Sequence, residues 1–317
     1  MTLNRRRFLT ISAGFGLAGI GIGIGIGADA GMARARASGA GLYIWRGVAM
    51  GAGATIALDH PDAPALCAAA AAEIDRLENI FSLYRADSAL STLNREGEAT
   101  APAPELLDCL SLAGLVHRHS GGRFDPTVQP LWALYAQSYS AGRAPTGDAL
   151  RQTLGRVGWD RVSFAAGRIT LAPGTALTLN GIAQGYVADR VAELLRARGL
   201  RDVLIDTGEI RALGHAPDGD WPVTLASGRR ADLRDRALAS SAPNGTCFDA
   251  AGRVGHILDP RDGRPASARW GLVSVSAPGA ALADALSTAG CLMPDRASLS
   301  QMVAAFDGAR IEALLGA

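Results

Sequence analysis

Apolar residues recur at helical spacing in some segments of the chain and in strand-like runs in others, and the order of these segments restricts the fold most strongly. Helical spacing predicts three long helices, over residues 64–81, 104–120 and 182–198. Shorter helices are predicted over 148–157, 282–290 and 298–306, and strands within 42–58, 159–171, 203–205, 210–213, 221–225 and 272–275. Because helices and strands are mixed without a regular βαβ period, the pattern predicts an α+β fold, with an irregular aromatic stretch over 124–139.

The bulk composition argues against a nucleic-acid partner and against a zinc site. The 317 residues carry 31 basic and 30 acidic side chains, and a net charge of +1 gives no electrostatic basis for nucleic-acid binding. Aromatic residues make up only 5%, which disfavours stacking platforms for single strands. The four cysteines are expected to be small core residues, with one disulfide left open, because no CxxC pair occurs among Cys67, Cys109, Cys247 and Cys291.

Residues 1–37 are interpreted as an export signal rather than as part of the folded domain. Three consecutive arginines precede Phe8-Leu9, an apolar glycine-rich stretch follows over 11–27, and Ala-x-Ala patterns end the segment. Paired arginines in this setting are typical of the twin-arginine route, which predicts a periplasmic protein. A membrane anchor is the alternative, but glycine-rich helices insert poorly, so the mature domain over 41–317 is expected to have no membrane span.

Two glycine-containing segments have the character of ligand-binding turns. In residues 121–128 a predicted helix stops at two glycines before a Phe-Asp-Pro turn; bare glycine lets a ligand approach the backbone, although an ordinary helix-ending turn fits equally well. In residues 179–186 a predicted strand leads through Asn180-Gly181 into a helix start, whose free N–H groups suit a phosphate. This second segment is neither a Walker P-loop nor a GxGxxG turn, and a plain strand–helix connection is its alternative.

Two further segments carry residues suited to acid–base and metal chemistry. His256 and Asp259 stand three apart before a proline-containing turn, and either could accept a proton from a nucleophilic hydroxyl; a structural hydrogen-bonding role is the alternative. Asp284 and Thr288 share one face of a predicted helix, with Ser287 beside them. A carboxylate with hydroxyls and carbonyls suits Mg²⁺, and the alternative is an N-cap aspartate with its first helical turn.

Taken in this order, the four segments closely resemble the ApbE family of FAD:protein FMN transferases. Further matches are Met50-Gly51, the run 81–85 with Ser88 and Leu93-Asn94, and the run 206–210. The resemblance covers roughly residues 41–290, nearly the whole mature domain.

Two positions depart from the family pattern. Gln184 stands where the family commonly has Lys, and Gly181 where it commonly has Ala. A missing Lys removes one positive charge near the pyrophosphate, although glutamine can still donate hydrogen bonds as a neutral group. The sequences around Asn180 and Gly208 are similar to those of twin-arginine-exported members associated with nitrous oxide reductase maturation.

The resemblance also implies a fold and a set of site residues. The fold would be α+β and related to the T-fold, with two lobes and an active site in the cleft between them. The implied FAD site comprises Met50, Tyr84, Arg123, Phe124, Asp125, Thr178, Gln184 and Leu258. The implied Mg²⁺ site comprises the Gly181 carbonyl, Asp284 and Thr288, with Ser287 close by. His256 falls in the family's His-Ile-Ile-Asp-Pro motif, and both His256 and Asp259 stay open as the catalytic base.

The implied activity is Mg²⁺-dependent transfer of FMN from FAD to a Thr or Ser hydroxyl of a target flavoprotein. A phosphoester bond forms and AMP is released. The target is expected to be membrane-bound and to carry a Ser/Thr-Gly-Ala-Thr acceptor segment. Two alternatives stay open. The protein could be a flavin carrier that binds FAD or hydrolyses its pyrophosphate, or a non-enzymatic assembly factor for a periplasmic metalloenzyme such as nitrous oxide reductase.

Overall fold

The computed structural model describes residues 41–225 and 227–316, so the export signal predicted over 1–37 lies outside the described residues. The helices are α1 (Ala63–Phe81), α2 (Ala89–Glu96), α3 (Pro104–His119), α4 (Gln129–Ser140), α5 (Gly147–Leu154), α6 (Ala183–Ala197), α7 (Ala280–Gly290) and α8 (Arg296–Ala304). The strands are β1 (Tyr43–Ala49), β2 (Ala52–Leu58), β3 (Glu98–Thr100), β4 (Val162–Ala165), β5 (Arg168–Leu171), β6 (Val203–Asp206), β7 (Ile210–Leu213), β8 (Trp221–Thr224), β9 (Arg230–Leu233), β10 (Ala237–Ser241), β11 (Trp270–Ala277) and β12 (Arg310–Gly316). This mixture confirms the α+β class.

A seven-stranded antiparallel sheet, ordered β1-β2-β6-β7-β10-β11-β12, forms the centre of the fold. Successive side chains of a strand point to opposite faces. Ile205 of β6 therefore faces the large apolar core under α1, α6 and α7, whereas Leu204 faces a smaller cluster around Trp221. Two smaller sheets are also present: a three-stranded sheet with the order β3-β5-β4, and the strand pair β8-β9.

Helices α6 and α7 are in direct backbone contact, and this contact positions much of the site. A Cβ added to Gly185 would lie 2.2 Å from the Ala280 carbonyl oxygen, so only glycine permits the close approach. Asp189, one turn further along α6, accepts hydrogen bonds from the backbone N–H groups of Ala280 at 2.8 Å and Ala281 at 2.9 Å. Its carboxylate thereby satisfies the exposed donors at the start of α7, and Arg211 lies 3.2 Å from it.

Most of the predicted elements are confirmed within a few residues of their predicted bounds, but the prediction of an irregular stretch over 124–139 is wrong. After a short 3-10 turn, this stretch forms α4. Helix α4 buries Leu131, Trp132 and Tyr135 in a third apolar cluster, where Trp132 and Tyr135 contact Phe248 from a distant part of the chain. The helical contacts therefore depend on a partner that lies more than a hundred residues away in the sequence.

One local prediction and one local alternative about the starts of helices are also wrong. Leu179 does not lie in a strand, because the chain runs irregularly from residue 172 to the start of α6. Asp284 is not an N-cap residue: Gly279 occupies that position, and Asp284 is the fifth residue of α7. Elements α2, β3, β9, β10 and β12 were not predicted, since they are short or lack clear periodicity.

The cysteines fit the expectation of small core residues. All four are free thiols, and Cys67, Cys109 and Cys291 are buried, whereas Cys247 is half-buried. Within the described ranges, none of the helices has the length and apolar character of a membrane span.

Candidate active site

One pocket brings together most of the residues selected from the sequence. It contains about 1270 Å³ of open space, part of it continuous with solvent. Ten of the fourteen predicted site residues line it: Arg123, Phe124, Asp125, Thr178, Gly181, Gln184, His256, Leu258, Asp284 and Thr288. The other four, Met50, Tyr84, Asp259 and Ser287, are not among the lining residues. The shared pocket supports treating the ten as one site, while their individual roles stay predictions.

Asp284 and Thr288 form a polar corner on α7. Only 3% of Asp284 is exposed, and its Oδ2 accepts a hydrogen bond from the Gly185 N–H at 3.3 Å. Burial raises the pKa of Asp284 to about 8, because the charged form loses its hydration. Thr288 lies one helical turn further on, and its Oγ1 is 3.3 Å from the Ser241 hydroxyl. The corner therefore offers a carboxyl and a hydroxyl on one helix face, as predicted from their spacing.

Gly181 and Ser287 flank this corner in different ways. A Cβ at Gly181 would lie 3.0 Å from Thr288 Cγ2 and 3.4 Å from Phe124, so glycine keeps the 181 turn close to α7. Ser287 is fully buried; its hydroxyl donates to the Asp284 carbonyl at 3.0 Å and shares a hydrogen bond with Ser241 at 2.7 Å. These contacts place Ser287 behind the corner, where it supports the side chains that face the pocket.

Glu209 lies in the same pocket and was not selected from the sequence as a site residue. It precedes β7, is 7% exposed, and its Oε2 has no hydrogen-bond partner within the described part of the chain. Burial raises its pKa well above the ordinary value, and the nearby carboxyls of Asp284 and Asp206 raise it further. The run 206–210 was noted only as a family match, and its burial beside the pocket depends on the tertiary fold.

The oxygen donors in this part of the pocket fit a hard divalent cation. Among residues 41–225 and 227–316, no group of three or more His, Cys, Asp or Glu side chains suits a metal ion. An ion here would instead use few carboxylates together with hydroxyl and carbonyl oxygens, as Mg²⁺ does. Asp284 has a raised pKa, and Glu209 has an Oε2 without a partner among the described residues. Both are therefore buried carboxyls that lack a neutralising charge nearby.

The 121–128 turn provides a cation and an aromatic face. Arg123 donates through Nε to the Leu292 carbonyl at 3.1 Å and through Nη1 to the Ser120 carbonyl at 3.2 Å, so its guanidinium is held in place. Asp125 Oδ1 accepts from the Thr127 N–H at 2.9 Å and from the Thr127 hydroxyl at 2.6 Å. Asp125 therefore orders the turn that presents the buried Phe124 ring to the pocket.

His256 and Asp259 have different surroundings. His256 lines the pocket, and its Nδ1 is 3.0 Å from the Thr246 carbonyl oxygen. Burial lowers the pKa of His256 to about 4, despite hydrogen bonds to the backbone of Thr246 and Pro243, so the ring is neutral at pH 7. Asp259 accepts two hydrogen bonds from the guanidinium of Arg261; although burial raises its pKa, these bonds outweigh burial and the pKa lies below its ordinary value.

Two residues inferred from the resemblance lie elsewhere, and Gln184 is engaged with its neighbours. Met50 occupies the β1–β2 turn with a φ of 50°, and its N–H donates to Glu78 Oε1 at 2.6 Å. Tyr84 is 39% exposed. Gln184 Nε2 donates to the Thr207 carbonyl at 3.4 Å, so the amide lies against the turn before β7. The lining residues missed from the sequence include Trp132, Ser240, Ser241 and Thr246.

The fold and the pocket define an α+β protein with a candidate ligand-binding site. Comparison with known proteins identifies its family. A family model described as "ApbE family" matches residues 50–314. The FAD:protein FMN transferase of Chlamydia pneumoniae is 32% identical over 234 residues, which is 68% of this chain and 74% of the relative. The one from Treponema pallidum (strain Nichols) is 32% identical over 249 residues, which is 68% of each chain.

Solved structures agree with this assignment. The flavin transferase ApbE from Vibrio cholerae superposes with a TM-score of 0.74 at 24% identity, over 86% of this chain and 93% of that one. The ApbE protein from Thermotoga maritima superposes with a TM-score of 0.77 at 25% identity, over 87% and 97%. The chain belongs to the ApbE family.

Proposed function

We propose that this protein is an FAD:protein FMN transferase that joins FMN to a Thr or Ser hydroxyl of a target flavoprotein. The observation that carries the proposal is the buried oxygen corner of Asp284, Thr288 and Gly181, which shares one pocket with His256. An acidic oxygen corner suits a cation and, through it, a pyrophosphate. Relatives named for this activity match 68% of this chain, which supports the same reaction here.

The proposed reaction is a phosphoryl transfer without change of oxidation state. The acceptor hydroxyl oxygen attacks the FAD phosphorus that carries riboflavin, and a P–O bond to the acceptor forms. The P–O bond to the AMP phosphate breaks, and AMP leaves with that electron pair. The hydroxyl proton passes to a base in the pocket. Positioning and electrostatic stabilisation supply most of the catalysis in such reactions.

Mg²⁺ is the proposed metal, held by Asp284, Thr288 and the Gly181 carbonyl. When bound there, the ion would neutralise charge on the phosphoryl oxygens and on the departing AMP. The chain's own residues orient the substrate: Arg123 supplies a fixed positive charge, and Gln184 supplies a neutral hydrogen-bond donor. Gln184 lacks the positive charge of the Lys that the family commonly has at this position. The metal would therefore neutralise a larger share of the negative charge on the pyrophosphate.

His256 is the better candidate for the base. It lines the pocket and is neutral at pH 7, so it can take up a proton, whereas Asp259 is absent from the lining residues and is paired with Arg261. The low pKa of His256 makes the ring a weak base, so we propose that it accepts the proton as the P–O bond to AMP breaks. The hydrogen bond at Nδ1 to the Thr246 carbonyl orients the ring for this role.

The partner and the location are proposed from the sequence. The acceptor would be a membrane-bound flavoprotein with a Ser/Thr-Gly-Ala-Thr segment, and the twin-arginine signal over 1–37 would place the protein in the periplasm. A fusion of residues 1–40 to a reporter that folds before export tests the location. Replacing the arginine pair should retain the reporter in the cytoplasm, and export that survives this change would contradict the proposal.

The activity test uses the mature protein with FAD, Mg²⁺ and a purified acceptor domain. We expect an acceptor heavier by the mass of FMN minus one water, and an equal amount of AMP; an acceptor whose modified Thr is replaced by Ala should stay unlabelled. Free FMN and AMP with an unlabelled wild-type acceptor would instead indicate a pyrophosphatase. Absence of both FAD binding and FAD turnover would favour a non-enzymatic assembly factor for a metalloenzyme such as nitrous oxide reductase.

A further inference from the structure

The charges around the pocket do not balance. The lining residues include one guanidinium, that of Arg123, and three carboxyls, those of Asp125, Glu209 and Asp284. The chain contains no lysine, so every other fixed cation must be an arginine. A dinucleotide pyrophosphate would add two further negative charges. Buried charges of like sign are costly unless an opposite charge is placed among them.

Among the residues that the structure describes, two of these three carboxyls lack a cationic partner. Asp125 is satisfied by the Thr127 N–H and hydroxyl, and its other oxygen lies 3.6 Å from His117 Nδ1. The Asp284 carboxylate accepts a hydrogen bond from the neutral Gly185 N–H. Glu209 receives a backbone hydrogen bond from Ser240 but leaves Oε2 without any partner.

The arginines near Glu209 are engaged elsewhere. Arg211, two residues further along the chain in β7, has its Nε 3.2 Å from Asp189 and donates through Nη1 to the Ala212 carbonyl. Arg123 is tied to two backbone carbonyls near α3 and α7. Glu209 is 93% buried and lines the pocket, and no described arginine forms an ion pair with its carboxyl.

We propose that Glu209 supplies a second carboxylate to the cation site of Asp284 and Thr288, and that this site binds a divalent cation before FAD arrives. Two carboxylates and a hydroxyl are hard oxygen donors of the kind that hold Mg²⁺ and Mn²⁺. The ion would neutralise both buried carboxylates and leave coordination positions for phosphate oxygens. A role of this ion in FMN transfer rests on the proposed function. Binding of the ion to the protein does not depend on that function.

The test measures Mn²⁺ binding to the FAD-free protein, by the electron paramagnetic resonance signal of free Mn²⁺ and by calorimetry. The wild-type protein, which has both carboxyls, should bind Mn²⁺. The Glu209→Gln substitution should weaken Mn²⁺ binding about 10- to 100-fold. Asp284→Asn should weaken it by a similar factor. Asp295→Asn is the matched control: Asp295 accepts the Ser298 N–H at 2.7 Å, which an amide oxygen can still do, and it does not line the pocket.

Thermal melting separates a ligand role from a structural one. Because Glu209→Gln removes a buried acid, its metal-free melting temperature should equal or exceed that of wild type, while the increase caused by Mn²⁺ should become smaller. Glu209→Asp, which keeps the charge on a shorter stem, should recover part of the Mn²⁺ affinity. A Glu209→Gln variant that binds Mn²⁺ like wild type, or that melts well below wild type without metal, would overturn the proposal.

The outcomes for this inference and for the proposed function can be told apart. A wild-type protein that binds Mn²⁺ through Glu209 but never labels an acceptor would contradict only the proposed function. A protein that labels its acceptor while Glu209→Gln retains full Mn²⁺ affinity would contradict only the second carboxylate ligand.

Discussion

The pocket has two walls that are built differently. The helical wall consists of residues 181–185 and 284–288, and the loop wall consists of residues 242–258. The helical wall rests on the large apolar core, and the contact between Gly185 and Ala280 leaves no space for a side chain. A wall of this kind can hold the buried Asp284 carboxyl at a fixed position, because close packing leaves its backbone little room to shift.

The loop wall lacks a long helix or strand within the described residues and relies on local hydrogen bonds. Asp249 Oδ1 accepts from the N–H groups of Arg253 and Val254, both at 2.8 Å, and Phe248 packs edge-on against Trp132 at 5.4 Å between ring centroids. This wall carries the imidazole of His256. Under the proposed function, the cation ligands Asp284 and Thr288 lie on the helical wall, and the candidate base His256 lies on the loop wall.

The largest expected effect is the loss of transfer when the helical wall loses its carboxylate. Asp284→Asn keeps the size of the side chain but removes the charge, so FMN transfer should fall about 1000-fold, because a metal ligand and its charge stabilisation are lost together. The rate of acceptor labelling measures this. Asp295→Asn, at the start of α8 where the side chain accepts the Ser298 N–H, should change it little. Transfer within threefold of wild type would contradict the metal assignment.

On the loop wall, His256→Gln should reduce transfer about 100-fold, in the range of a lost general base. Glutamine can still hydrogen bond to the backbone, so the loop should keep its conformation and the FAD affinity should change little. Labelling rates with saturating FAD, together with FAD titrations, test this separation of rate from binding. A variant that loses FAD binding instead would make His256 a substrate-binding residue.

The close contact behind the helical wall can be broken by one methyl group. Gly185→Ala places a Cβ 2.2 Å from the Ala280 carbonyl oxygen and should reduce the free energy of unfolding by about 3 kcal/mol. Gly53→Ala is a matched control, since no atom lies within 4 Å of its added Cβ. Urea unfolding of the two variants measures the difference; equal stabilities would show that the α6–α7 contact is not tight.

The buried imidazole predicts a pH dependence of stability. Burial lowers the pKa of His256 from 6.5 to about 4, so on acidification the unfolded chain binds the proton before the folded one does. Stability from this group is present above pH 6.5 and is lost as the pH falls towards 4, by about 2 kcal/mol, a figure reduced because solvent reaches the half-buried residue. His256→Gln should remove this difference, so unfolding curves of both proteins at pH 5 and pH 7 provide the test.

The smallest effect is expected for Asp259, which lies at the margin of the loop wall. Asp259→Asn weakens the pair with the half-exposed Arg261, so stability should change by less than about 1 kcal/mol and transfer by less than threefold. Acceptor labelling by this variant sharpens the choice between the two candidate bases. A large loss here, with an active His256→Gln variant, would reverse their roles.

The helical wall could be predicted from the sequence to a greater extent than the loop wall. Asp284 and Thr288 were placed on one helix face from their spacing alone, and α6 was recognised from its apolar period, because both features are local. Helix α4 was missed because its aromatic residues look irregular until Phe248 is placed against them. Such a partner is set by tertiary packing and leaves no local signal.

The site residues inferred from the family resemblance were also predicted only in part. Arg123 and Gln184 line the pocket, whereas Met50 and Tyr84 do not, because a matching sequence position does not determine where a turn directs its side chain. Glu209 was missed for the opposite reason. Its sequence position was noticed, but only the pairing of β6 with β7 and the packing of α7 bury its carboxyl next to Asp284.

The most direct test is a crystal structure of the protein with FAD and Mn²⁺, in which anomalous scattering locates the ion. We predict one strong anomalous peak within coordination distance of the Asp284 carboxylate, the Thr288 hydroxyl and the pyrophosphate of FAD. A peak elsewhere with FAD in the pocket, or FAD bound outside the pocket, would contradict it.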